Sequence, residues 1–135
     1  MMMPFITGEI LLLISLLHVY WLFGGRWGLE ASLPPSRSGD PVRPPRVMVV
    51  VVILGLLFAS AMAFSLAGWI TIPLSERWMI FCYKALGYLF LARGILGFAA
   101  SFFFRPLKGT LFNRWNLILY SPLCTWIGAV FLGFI

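Results

Sequence analysis

Residues 17–28 read L-H-V-Y-W-L-F-G-G-R-W-G. The first half continues an apolar run that starts near Phe5 and carries the chain's only histidine, His18. The second half holds two glycines, an arginine and a tryptophan. Glycine loosens a helix, while Arg26 and Trp27 suit the headgroup layer, so the stretch reads as a membrane helix running out at an interface.

Composition extends that reading to the whole chain. Of 135 residues, 61% are hydrophobic and 10% charged, against roughly 25% charged in ordinary soluble domains. Mean hydropathy is +0.99. In water, so apolar a chain would leave large exposed patches; in lipid it does not. Residues 5–24 form a first span, long enough at about 1.5 Å per residue to cross a hydrocarbon core of about 30 Å. Further spans follow at residues 47–69, 78–104 and 115–135. The expected fold class is therefore all-α, a four-transmembrane-helix bundle forming one integral membrane domain over residues 1–135. Residues 29–46, with Pro34, Pro35, Pro41, Pro44 and Pro45, break helix and strand alike and read as a proline-rich loop. A stiff connector is the plain reading of that loop, and a polyproline ligand the sharper one. The first span follows no basic n-region and precedes no small-residue cleavage site, so it is expected to stay in the protein.

The formal charge is +6, yet the basic residues occupy short connections and form no groove-sized patch with interleaved aromatics. They point to a lipid bilayer as partner and away from nucleic acid. The first and third connections carry Arg26, Arg37, Arg43, Arg46, Arg105, Lys108 and Arg114, and the second only Arg77. Under the positive-inside rule residues 25–46 and 105–114 are cytoplasmic and both termini lie outside.

That orientation assigns a depth to each polar residue in a span. His18, Tyr20 and Trp21 fall in the inner half of span one, Asn116 and Tyr120 in the inner half of span four, and Arg93 near the middle of span three. They are the candidate ligand-binding set, a pocket for a small or lipid-like anion with Arg93 as counter-charge, His18 as proton-sensitive contact and the aromatics as walls. Structural roles compete with each of these. Arg93 can instead bond the carbonyl near Ile118 that Pro122 leaves without its helical donor, where a kink is expected. Glu9 and Lys84 share the outer third, each on the helix face opposite the inner set. They are expected to pair or to lie at another seam. On span two, Gly55, Ala59, Ala63 and Ala67 recur every four residues and form a helix-packing seam.

Counting lowers several specific activities. One histidine falls short of the two axial ligands of a haem held within one subunit. No metal site is expected, since His18, Cys82, Cys124 and scattered acids match no zinc spacing. Cys82 and Cys124 lie at different depths, against a dithiol pair. No catalytic residues are assigned, the reading leans against an enzyme, and no cofactor is expected. A non-catalytic accessory subunit, or a homo-oligomer using the small-residue seam and the Glu9/Lys84 layer, is the alternative; a lipid- or quinone-linked enzyme or transporter is a third.

L-H-V-Y-W-L-F-G-G-R-W-G at 17–28, R-G-I-L-G at 93–97 and W-N-L-I-L-Y-S-P-L-C at 115–124 together resemble the motifs of a bacterial four-span membrane protein family described only as a domain of unknown function. The resemblance covers nearly the whole chain apart from the proline-rich loop. It implies a bacterial inner-membrane location and four spans, and brings no activity or ligand.

Overall fold

The computed structural model describes residues 2–33, 44–103 and 109–135. Among these, every regular element is helical. Helix α1 spans Met2–Leu22, α2 Leu29–Ser32, α3 Arg46–Leu66 and α4 Glu76–Phe103. The last span is α5, Leu111–Trp115, a π-helical turn at Asn116–Tyr120, and α6, Ser121–Leu132. Four segments are long and apolar enough to cross a membrane: Met2–Leu22, Arg46–Leu66, Glu76–Phe103 and Leu111–Leu132. The expected four-helix architecture is the one observed. Arg37, Arg43, Arg105 and Lys108, with the rest of 34–43 and 104–108, lie outside the described residues.

The boundaries shift for local reasons. Residues 29–32, L-E-A-S, precede the first proline and close a helical turn in place of the expected irregular loop. Span four starts four residues earlier than its apolar run, because Thr110 caps α5 by accepting from the Asn113 N–H at 3.1 Å. Helix α3 stops at Gly68, whose φ of 82° takes the left-handed turn that closes helices, and the Trp69 N–H then bonds back to the Phe64 carbonyl at 2.9 Å.

Two antiparallel hairpins make up the bundle, α1 with α3 and α4 with α6, and the hairpins meet along α1/α6 and α3/α4. Leu11, Ala59, Met62, Ala63, Leu86, Ile127 and Phe131 form the shared buried core. Lipid is as apolar as these side chains, so close packing and hydrogen bonds hold the helices together. Between α1 and α3, Ser60 Oγ donates to the Gly8 carbonyl at 2.8 Å and Ser15 Oγ to the Ile53 carbonyl at 3.4 Å. Of the seam residues on α3, Ala59 and Ala63 are buried, Ala67 is half-buried and Gly55 is exposed. A row of residues four apart drifts about 40° round the helix at each step, and this carries Gly55 off the contact face.

The tighter seam joins α4 to α6. Gly87, Gly94 and Gly97 of α4 and Gly128 of α6 are buried there. A Cβ on Gly128 would lie 2.7 Å from the Leu91 nitrogen and 2.8 Å from the Gly87 carbonyl oxygen, so the two backbones touch. Above this seam the π-helical turn absorbs Pro122: the Ser121 N–H reaches five residues back to the Asn116 carbonyl, just before the proline that can offer no N–H.

Candidate functional site

One end of the bundle gathers the C-terminus of α1, the short α2, and the first turns of α3 and α5. Here the chain leaving α1 folds back on itself. Gly24, at φ 99°, makes the turn, the Gly25 N–H bonds the Tyr20 carbonyl at 3.0 Å, and Trp21 Nε1 donates to the Trp27 carbonyl at 2.8 Å. The return places α2 beside the start of α3 and leaves a cavity of about 420 Å³ between them, within the usual size range of small-molecule pockets. Its walls are His18, Trp21 and Leu22 from α1, Leu29, Ser32 and Leu33 from the α2 segment, Pro44 just before α3, and Arg46, Met48, Val49 and Val52 from α3.

The cavity is apolar along its length and polar at a few points. His18 Nδ1 lies 2.8 Å from the Ile14 carbonyl oxygen, which can only accept. This fixes a proton on Nδ1 and makes Nε2 the acceptor of the neutral ring. The ring also meets Trp21 edge to face, with centroids 4.8 Å apart. Arg46 opens α3, a helix of 21 residues whose first N–H groups point toward this end. A permanent cation and a helix N-terminus thus flank an apolar slot that also contains an imidazole.

The six residues singled out by depth do not line one cavity. His18 and Trp21 share the slot. Tyr20 is exposed on the outer side of α1, its ring against Gly25 and its hydroxyl 3.4 Å from the Trp27 N–H. Tyr120 comes from the other hairpin and donates to the Ala31 carbonyl at 2.9 Å, with its oxygen 3.4 Å from Ser32 Oγ. Since Ser32 lines the slot, Tyr120 stands directly behind its wall.

Arg93 and Asn116 form a separate polar node between α4 and the π-helical turn. Asn116 is only 1% exposed and fully bonded. Its Nδ2 donates to the Gly97 carbonyl at 2.8 Å and to Ser101 Oγ at 2.7 Å, and its Oδ1 accepts from Ser121 Oγ at 3.1 Å. Arg93 approaches the same Oδ1 with both terminal nitrogens at 3.5 Å. Its guanidinium runs along α4 past Gly97, where a Cβ would stand 2.6 Å from Nη1. Among the described residues this amide, and not the Ile118 carbonyl, is the arginine's hydrogen-bond partner.

Sequence reasoning missed Arg46 as a site residue, counting it only as a topological charge. The available signal was P-P-R at 44–46, a proline pair opening a helix at a basic residue. It also missed Asn113, whose buried Oδ1 has no hydrogen-bond partner among the described residues. No grouping of three or more His, Cys, Asp or Glu able to hold a metal occurs among the described residues. No curated protein and no solved structure matches the chain significantly. Residues 11–131, which include the cavity walls, the polar node, the second half of the first membrane-length helix, all of the second and third and all but the last residue of the fourth, match the model of a protein family of unknown function, DUF3995, and the chain belongs to that family.

Proposed function

We propose that this membrane protein binds one anionic amphiphile, a phosphate-bearing lipid or a molecule of like chemistry, in the slot between α1, α2 and α3. The observation that carries the reading is the joint lining of one 420 Å³ cavity by Arg46, His18 and Trp21 among aliphatic side chains. The anionic headgroup would meet the Arg46 guanidinium and the α3 N-terminus, His18 Nε2 would accept a hydrogen bond from a headgroup hydroxyl, and Trp21, Val49 and Val52 would flank the acyl part. The counter-charge is thus Arg46, with Arg93 committed to Asn116. In this reading the slot opens to the cytoplasmic leaflet of a bacterial inner membrane, with both termini outside, following the basic residues of the first and third connections.

Native mass spectrometry of protein taken from membranes containing phosphatidylglycerol and phosphatidylethanolamine tests this. One phosphatidylglycerol per chain is expected to stay bound to the wild type and to be lost at least tenfold from Arg46→Ala and from His18→Ala. Arg93→Leu keeps it. Equal retention by Arg46→Ala, or selective loss from Arg93→Leu, overturns the site.

A further inference from the structure

Beyond the first turn of the membrane-length helices, two charged side chains belong neither to the slot nor to the Asn116 node. Glu9 on α1 and Lys84 on α4 are both exposed, on helices apolar enough to cross a membrane. Neither has a hydrogen bond or ion pair among the described residues. Glu9 sits well inside the span. The carbonyl of Gly8, next to Glu9, accepts from Ser60, and Ser60 precedes the end of α3 at Leu66 by about 9 Å of helix. A carboxylate has too short a stem to reach water from there. Tyr83, next to Lys84, bonds Ser65 in the last turn of α3, about 7 Å nearer the rim than Ser60. That is an offset a four-carbon lysine stem spans.

Within one chain the two cannot meet. Helix α1 packs on α3 and α6, and α4 packs on α6 and α3, so α1 and α4 stand at opposite corners of the bundle and their exposed faces point apart. Each charge lies in an exposed apolar stripe at helical spacing: Leu13 and Leu16 continue from Glu9, and Phe81 and Tyr88 flank Lys84.

We propose that copies of this chain associate side by side, with the Glu9 face of α1 in one copy against the Lys84 face of α4 in the next. An unpaired charge facing hydrocarbon is costly, and this contact brings the Glu9 carboxylate an opposite charge across an offset that the lysine stem spans. A face of one sign cannot pair with itself, so the contact is head-to-tail, and its repetition builds a ring where the rotation closes and an open row where it does not.

The test uses the full chain in native membranes, with Cys82 and Cys124 replaced by serine. Leu13→Cys in one tagged copy and Tyr88→Cys in a differently tagged copy report the contact through a short bis-maleimide, leaving both charges in place. Mixed-tag dimers are expected, and one chain carrying both cysteines gives a ladder. Glu9→Lys should cut the mixed product at least fivefold, and Glu9→Lys with Lys84→Glu should restore it. The restored variant also shows that the single variant folds. Absence of mixed-tag product, dominance of same-site pairs, or a Glu9→Lys variant that crosslinks as well as its parent overturns the proposal.

Discussion

The two hairpins of this bundle are both built from helices apolar enough to cross a membrane and yet are joined in different ways. In the α4/α6 hairpin, glycines let the backbones touch, and a buried asparagine with four neighbouring groups closes the seam. In the α1/α3 hairpin, alanines and larger side chains set the spacing, two serine hydroxyls cross to carbonyls, and at one end the helices leave a cavity. Among lipid-solvated helices, closeness of approach is set by small residues and by polar bonds that have no water to replace them. The first hairpin thus keeps a slot at one end, whereas the second is shut along its seam.

The sharpest way to break this contrast is to add one methyl group to the closed seam. Gly128→Ala would place a Cβ against the Leu91 backbone nitrogen and Cα and the Gly87 carbonyl oxygen, none of which can rotate away. The helices must separate, at a cost of about 2–3 kcal/mol. Reversible unfolding in mixed micelles, read by tryptophan fluorescence, gives the value. An unchanged midpoint would mean that the helices do not touch there.

Next in size is the amide. Asn116→Ala removes the acceptor of Ser121 and Arg93 and the donor to Ser101 and Gly97. Single interhelical hydrogen bonds in membranes average about 0.6 kcal/mol and orphaned buried groups cost more, so a loss of about 1–2 kcal/mol is expected. It should be accompanied by faster deuterium exchange of the Ser121 amide. Ser60→Ala in the open hairpin removes one bond to the Gly8 carbonyl, which the helix still satisfies, and should cost about 0.6 kcal/mol in the same unfolding assay.

The four spans were legible because an apolar run of about 20 residues has few other uses, and the end of α1 was legible because glycine, arginine and tryptophan mark an interface. The pairing of particular residues was not. Depth along the membrane normal can be counted from sequence, but the angle around the bundle depends on which helices adjoin. Arg93 and His18 were matched by depth, yet they belong to different hairpins and answer to different neighbours. Pro122 announced a disturbance in span four, whereas its form, a π-helical turn that aims Asn116 at Gly97 and Ser101, depends on α4 being close enough to receive the amide. Arg46 escaped notice because one arginine after a proline pair serves topology and ligand equally well in a linear reading.

The smallest effect separates the hairpins most cleanly, since it comes from the same chemical change as the largest. At Gly55 of α3 an added Cβ meets nothing within 4 Å, so no helix has to move. What remains is the backbone term: alanine has fewer unfolded conformations than glycine and a higher helix propensity. Gly55→Ala is therefore expected to stabilise by about 0.5 kcal/mol. Opposite signs for one methyl group at Gly128 and at Gly55 would locate the close contact in α4/α6. Equal losses at both would place a second tight interface on the outer face of α3, because a glycine facing only lipid tails has no reason to resist a side chain.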